Sequence, residues 1–251
     1  MQVILMDERM EYQHCRFDLP RPKVRRRPWR EEKGRDPYDG LRPWSAVTHG
    51  AGVVLGILGA VLLLLRTAQT GAAWRLLPFA VYAASMIGLY TASTLYHCRN
   101  TDVKGRIALR KYDHISIYFL IAGSYTPICL IALPPAWGWT MTAIVWALAA
   151  AGTVMALLWI NAPRWVTSGI YISMGWMAVF MLPALLKYLP SAGFFWLLLG
   201  GTLYTVGGVL YAVKRPGRNN PRFGCHEIFH VFILLGSIAH FFLMYRVIVY
   251  L

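Results

Sequence analysis

Seven apolar runs of about 20 residues each dominate this chain, at 46–65, 76–96, 113–133, 137–160, 165–186, 194–213 and 228–251. A run of that length, wound as a helix, crosses a hydrocarbon core of roughly 30 Å. Lipid offers no partner to an open backbone N–H or C=O, so each run must satisfy its own backbone. The alternative, a closed barrel, needs short strands of alternating polarity, and the sequence has none. The fold class is therefore all-α, a seven-transmembrane-helix bundle.

The placement of Lys and Arg sets the expected orientation. With the N-terminus cytoplasmic, 21 of the 25 basic residues fall on the inner side and 4 on the outer, which puts the C-terminus outside. This is the reverse of the rhodopsin-type arrangement. Two regions result: a tail over residues 1–44 and a membrane domain over residues 45–251. The tail is charged throughout, so no cleavable signal peptide is expected. Its Pro-broken basic stretch, Arg21 to Arg35, is expected to be disordered, either simply solvated or drawn to anionic lipid headgroups.

The net charge of +14 then reports the inner-loop bias and this tail rather than nucleic-acid binding. The expected location is the cell membrane, plasma or inner, and the expected partners are membrane lipids. Cysteines at 15, 98, 129 and 225 show no pairing pattern, and three of them lie on the reducing side. Cys98 and Cys225 adjoin histidines, but helical neighbours diverge by about 100°, which disfavours thiolate ligation beside those rings.

Polar residues gather at one end of the bundle. Of eleven acidic residues eight precede Gly40, leaving Asp102, Asp113 and Glu227 for the rest. His226 and His230 lie four apart at the start of the last run, so both rings share one helical face. Ser93 and His97 repeat that spacing at the end of the second run, and Asp113-His114 opens the third. With His49 in the first run, five of the seven histidines fall at the inner rim. His240 lies about 15 Å deeper than His230, too far to share an ion, and reads as an interhelical hydrogen-bonder.

Three neutral imidazoles from two helices, with water in the fourth position, make the pattern of an open zinc site. His97, His226 and His230 are the candidate Zn2+ ligands. Asp113 is the candidate base or water-orienting group, and Ser93 a candidate to steady an oxygen of water or substrate. His49 and His114 read as interfacial or supporting residues. His226–His230 also fits HExxH, in which Glu227 would be the base of a metalloprotease. Such enzymes inside membranes take a third, carboxylate ligand from an Asp-Gly motif in another span; here the one Asp-Gly, Asp39-Gly40, lies in the tail.

These stretches together resemble the hemolysin III family, the bacterial branch related to the progestin and adipoQ receptors. The matching residues are Thr48-His49-Gly50, Ser93 to His97, Asp113-His114, Gly123 to Pro127, His226 to His230 and Gly236 to His240. The resemblance implies seven spans with the N-terminus inside. It also implies a zinc ion on His97, His226 and His230, with Asp113 and Ser93 beside its water. One departure stands out: where the family carries acidic residues before Thr-His, this chain has Leu41-Arg-Pro-Trp-Ser45. Pro127 is expected to kink the third helix.

Three functions compete. A ceramidase-like zinc hydrolase would cut an amide or ester of a lipid substrate, and suits a polar site among apolar helices. A pore-forming, cytolytic protein is the reading the family name suggests, but no polar stripe runs through the helices. A receptor-like sensor would use the metal structurally.

Overall fold

Small residues turned inward and large ones outward define the first span. Helix α1, Pro43–Gln69, buries Ser45, His49, Gly52, Gly56, Gly59 and Leu63 at helical spacing and exposes Leu55, Leu58, Leu62 and Leu65. A soluble helix would do the opposite; a lipid-facing helix associates by close backbone approach through small residues. Gly52 shows the need, since a Cβ there would fall 2.5 Å from the Tyr90 ring.

The computed structural model describes residues 41–217, 220 and 223–251. The tail expectation therefore falls, through residue 40, outside the described residues. Helix α1 starts at Pro43, ahead of the expected 46, because proline suits the first helical position and its missing N–H is no loss there. It is followed by α2, Leu76–Cys98, α3, Val103–Ala132, and α4, Pro135–Leu158. Next come α5, Arg164–Gly175, and α6, Leu182–Tyr188, then α7, Ser191–Val213, and α8, Cys225–Arg246. With α5 and α6 counted as one, seven spans are long and apolar enough to cross a bilayer, and the described residues contain no strand.

Two spans differ from their sequence outlines. Helix α3 begins ten residues before position 113, because Asp102 caps it by accepting from the Gly105 N–H at 3.0 Å. Asp113, expected in the first turn, thus lies about 15 Å along the helix. The helix runs through Pro127 without a break.

The fifth span is broken. A 3-10 segment, Trp176–Met181, separates α5 from α6. Pro183 cannot donate to the carbonyl one turn back, which favours a break just before it. The Tyr125 hydroxyl of α3 fills the gap: it donates to the Gly175 carbonyl at 2.6 Å and accepts from the Ala178 N–H at 2.7 Å. A side-chain oxygen is thus inserted between two backbone groups that would otherwise pair with each other.

Packing contacts run from α1 to α2, α3, α5, α7, α8 and back to α1, closing a ring with α4 outside on α3. Fully buried Phe79, Tyr82, Tyr90, Tyr118, Leu243 and Met244 belong to the core inside it. At one rim the start of α1 meets the end of α2, where the Arg42 N–H donates to the His97 carbonyl at 3.0 Å. The start of α8 reaches the same rim.

Candidate metal centre

His97 sits in the last turn of α2, on the buried face that also carries Tyr82, Met86, Tyr90 and Ser93. His226 and His230 occupy the first two turns of α8, one above the other. All three imidazoles are buried, and one ring nitrogen from each lies within 4.8 Å of the others. The closest pair, Nε2 of His97 and Nε2 of His226, is 3.1 Å apart. Two nitrogens bound tetrahedrally to one zinc at 2.0–2.1 Å would stand about 3.3 Å apart, so the spacing suits a shared ion.

His230 has its tautomer set from outside the cluster. Its Nδ1 lies 3.3 Å from the Ser45 carbonyl, which can only accept, so Nδ1 carries the proton and the Nε2 lone pair is left for a ligand. The group of ligand-type atoms found among the described residues holds these three histidines; neither Cys225 nor Cys98 joins it, and Cys98 is exposed.

Ser93 is buried one turn before His97, and its hydroxyl hydrogen-bonds the Asp113 carboxylate across the α2–α3 contact. Asp113 stands outside the ligand group, on α3, and Ser93 shares the buried face of α2 with His97. His114 is likewise outside the ligand group, with Nδ1 2.9 Å from the Arg110 carbonyl and 3.9 Å from Asp113 Oδ2.

Glu227 does not point at the imidazoles. Its carboxylate accepts from the Gly224 N–H at 2.8 Å, from Ser45 Oγ at 3.1 Å and from Arg42 Nη1 at 3.1 Å. That is the reach-back half of a capping box, combined with a part-buried ion pair to Arg42. The HExxH reading of Glu227 as a base, already disfavoured by the lack of an Asp-Gly motif within the spans, gains nothing here: at the third position of α8 the backbone cap claims this side chain.

Of the two roles open to His49, interfacial or supporting, the structure favours the second: it packs against the ligand group without joining it. Its ring stacks on His230 with centroids 3.6 Å apart, meets Tyr90 edge-on at 5.1 Å, and is 3% exposed. The signal lay in α1's own periodicity: Ser45, His49, Gly52, Gly56 and Gly59 form one face of small and polar residues.

A polar thread also runs deeper than the sequence suggested. The Tyr90 hydroxyl donates to Ser237 Oγ at 2.7 Å, Ser237 pairs with the Tyr204 hydroxyl at 2.9 Å, and Tyr204 stacks on His240. These residues are scattered in sequence on α2, α7 and α8, so no single helix shows a stripe. His240 was expected to bond across helices; its Nδ1 instead meets the Gly236 carbonyl of its own helix at 2.9 Å. Its cross-helix contact is the stack on Tyr204, in space left by Gly200.

Residues 43–241 match the family model described as Haemolysin-III related. The chain is 39% identical over 198 residues to a Hemolysin-3 homolog of Bacillus subtilis, covering 79% of this chain and 90% of that protein. It is 36% identical over 199 residues to Hemolysin-3 of Bacillus cereus, covering 79% and 87%. It is also 25% identical over 210 residues to the human Monocyte to macrophage differentiation factor, covering 80% and 82%.

Proposed function

The chain belongs to the Haemolysin-III related family of multi-pass membrane proteins, and from that premise we propose that it is a zinc-dependent hydrolase of a lipid amide or ester. The observation that carries this reading is the convergence of three buried imidazoles from two spans, with Ser93 one turn from His97 on the same buried face. Three protein ligands leave a tetrahedral ion one position for chemistry, the arrangement of catalytic rather than structural sites. Zinc held there would polarise a carbonyl and make water acidic enough to attack near neutral pH.

The chain's own residues supply the rest. An oxygen of Asp113 takes the proton from the attacking water and returns it to the leaving amine or alcohol as the acyl bond breaks. Ser93, one turn from His97, gives its single hydroxyl proton to that carboxylate in a hydrogen bond and so holds the base in place. The apolar helices around the site suit a substrate with a long acyl chain. The excess of Lys and Arg on the flanking loops orients the site toward the cytoplasm.

The test is elemental analysis of detergent-purified protein beside its His97→Ala variant, followed by hydrolysis of a panel of acyl amides and esters. About one zinc per chain, lost together with hydrolysis in the variant, is the expected result. Zinc retention without turnover would support a structural metal in a sensor. Vesicle leakage that survives loss of the histidines would support a lytic protein.

A further inference from the structure

We infer that the first turn of α1, Arg42 to Ser45, is the outer shell of this metal centre, with Arg42 and Glu227 as positioning residues. The inference rests on the metal reading above and adds to it the part of the chain that holds the ligands still.

Four contacts come from two of these residues, Arg42 and Ser45. The Arg42 backbone N–H binds the carbonyl of His97. The Arg42 side chain and Ser45 Oγ both bind Glu227, which lies between His226 and His230. The Ser45 carbonyl takes the Nδ1 proton of His230. One short segment therefore touches or adjoins every candidate ligand, and it does so from a third helix that contributes no ligand itself.

Glu227 is the keystone. It is 1% exposed, and a carboxylate offers about four lone-pair sites. Gly224, Ser45 and two contacts from Arg42 Nη1, at 3.1 and 3.4 Å, occupy its oxygens. So filled, Glu227 is drawn away from the ion and locked to α1. The lock also fixes where α8 begins, and with it the height of His226 and His230. Arg42 is about a quarter exposed, so the pair sits at the boundary between water and the buried cluster. Removing Arg42 would leave a carboxylate buried beside the ligands without its counter-charge, and α8 would shift to reach solvent.

Outer-shell partners of metal ligands commonly matter by 10- to 100-fold in affinity. Full-length protein in detergent would be titrated with zinc against a chelator of known affinity, and with Co2+ to read the d–d absorption bands. Arg42→Ala is expected to weaken zinc binding by about 10- to 100-fold and to change the Co2+ band shape. Arg42→Lys, which keeps the charge but not the guanidinium's reach and geometry, is expected to fall between, and it also decides the question if the alanine variant does not fold. In Arg42→Ala combined with Glu227→Gln, the buried charge is gone, and affinity is expected to recover part of the loss. Tyr125→Phe serves as the comparison: it loosens a distant contact, so it should lower thermal stability while leaving zinc affinity unchanged. If Arg42→Ala and Arg42→Lys bind zinc like the parent with the same Co2+ spectrum, the inference is overturned. If the parent protein binds no metal, it is the underlying metal reading that fails.

Discussion

Tyr125→Phe removes one oxygen atom and nothing else, which makes the broken fifth span a clean place to test the structure. The lost hydroxyl makes two bonds, to the Gly175 carbonyl and from the Ala178 N–H. Each bond contributes about 0.5–1.5 kcal/mol net, and measured side-chain bonds inside membranes average about 0.6 kcal/mol. Two bonds thus give about 1–3 kcal/mol. Gly175 and Ala178 are three residues apart, so their freed groups can close directly on each other in a 3-10 bond and recover part of this. The net cost works out at about 1–2 kcal/mol. Equilibrium unfolding in mixed micelles would measure it, and amide exchange would show whether the Ala178 N–H becomes less protected. Unchanged stability together with unchanged exchange at Ala178 would refute the bridge, and with it the account of how lipid-exposed backbone is satisfied at the break.

Two further substitutions separate the parts of the site. Asp113→Asn should keep zinc while hydrolysis falls by about 10²–10⁴-fold, since Asn cannot take the proton; a rate within a few-fold of the parent would remove Asp113 from the mechanism. Gly52→Val drives its side chain into the Tyr90 ring and should cost about 1–3 kcal/mol of stability, read as a lower unfolding midpoint, with the Tyr90–Ser237 bond disturbed alongside.

Much of the site was legible because helical spacing is rigid. Residues four apart share a face whatever surrounds them, so Ser93 with His97 and His226 with His230 could be paired without a structure. That they share a rim followed from alternating helix direction. What escaped were residues whose role depends on a partner far away in sequence. Glu227 fits a catalytic motif as written and is claimed by Gly224, Ser45 and Arg42 in space. His49 looks like any histidine near a helix end until its stack on His230 is seen. Asp113 was placed a turn from a helix start because the basic residues before it look like a loop. The Asp102 cap instead extends the helix over them.

Sequence alone determined that the chain spans a membrane seven times, because the absence of water in lipid leaves an apolar run of 20 residues little choice but a helix. It also determined which helical faces carry the candidate ligands, because the turn of a helix is fixed by backbone geometry. Tertiary structure alone decided which side chains meet: the reach of Arg42 to Glu227, the stacking of His49, the hydroxyl of Tyr125 in the broken span. Those choices depend on the approach and rotation of neighbouring helices. Both are settled by packing of small residues between spans, which no single segment encodes.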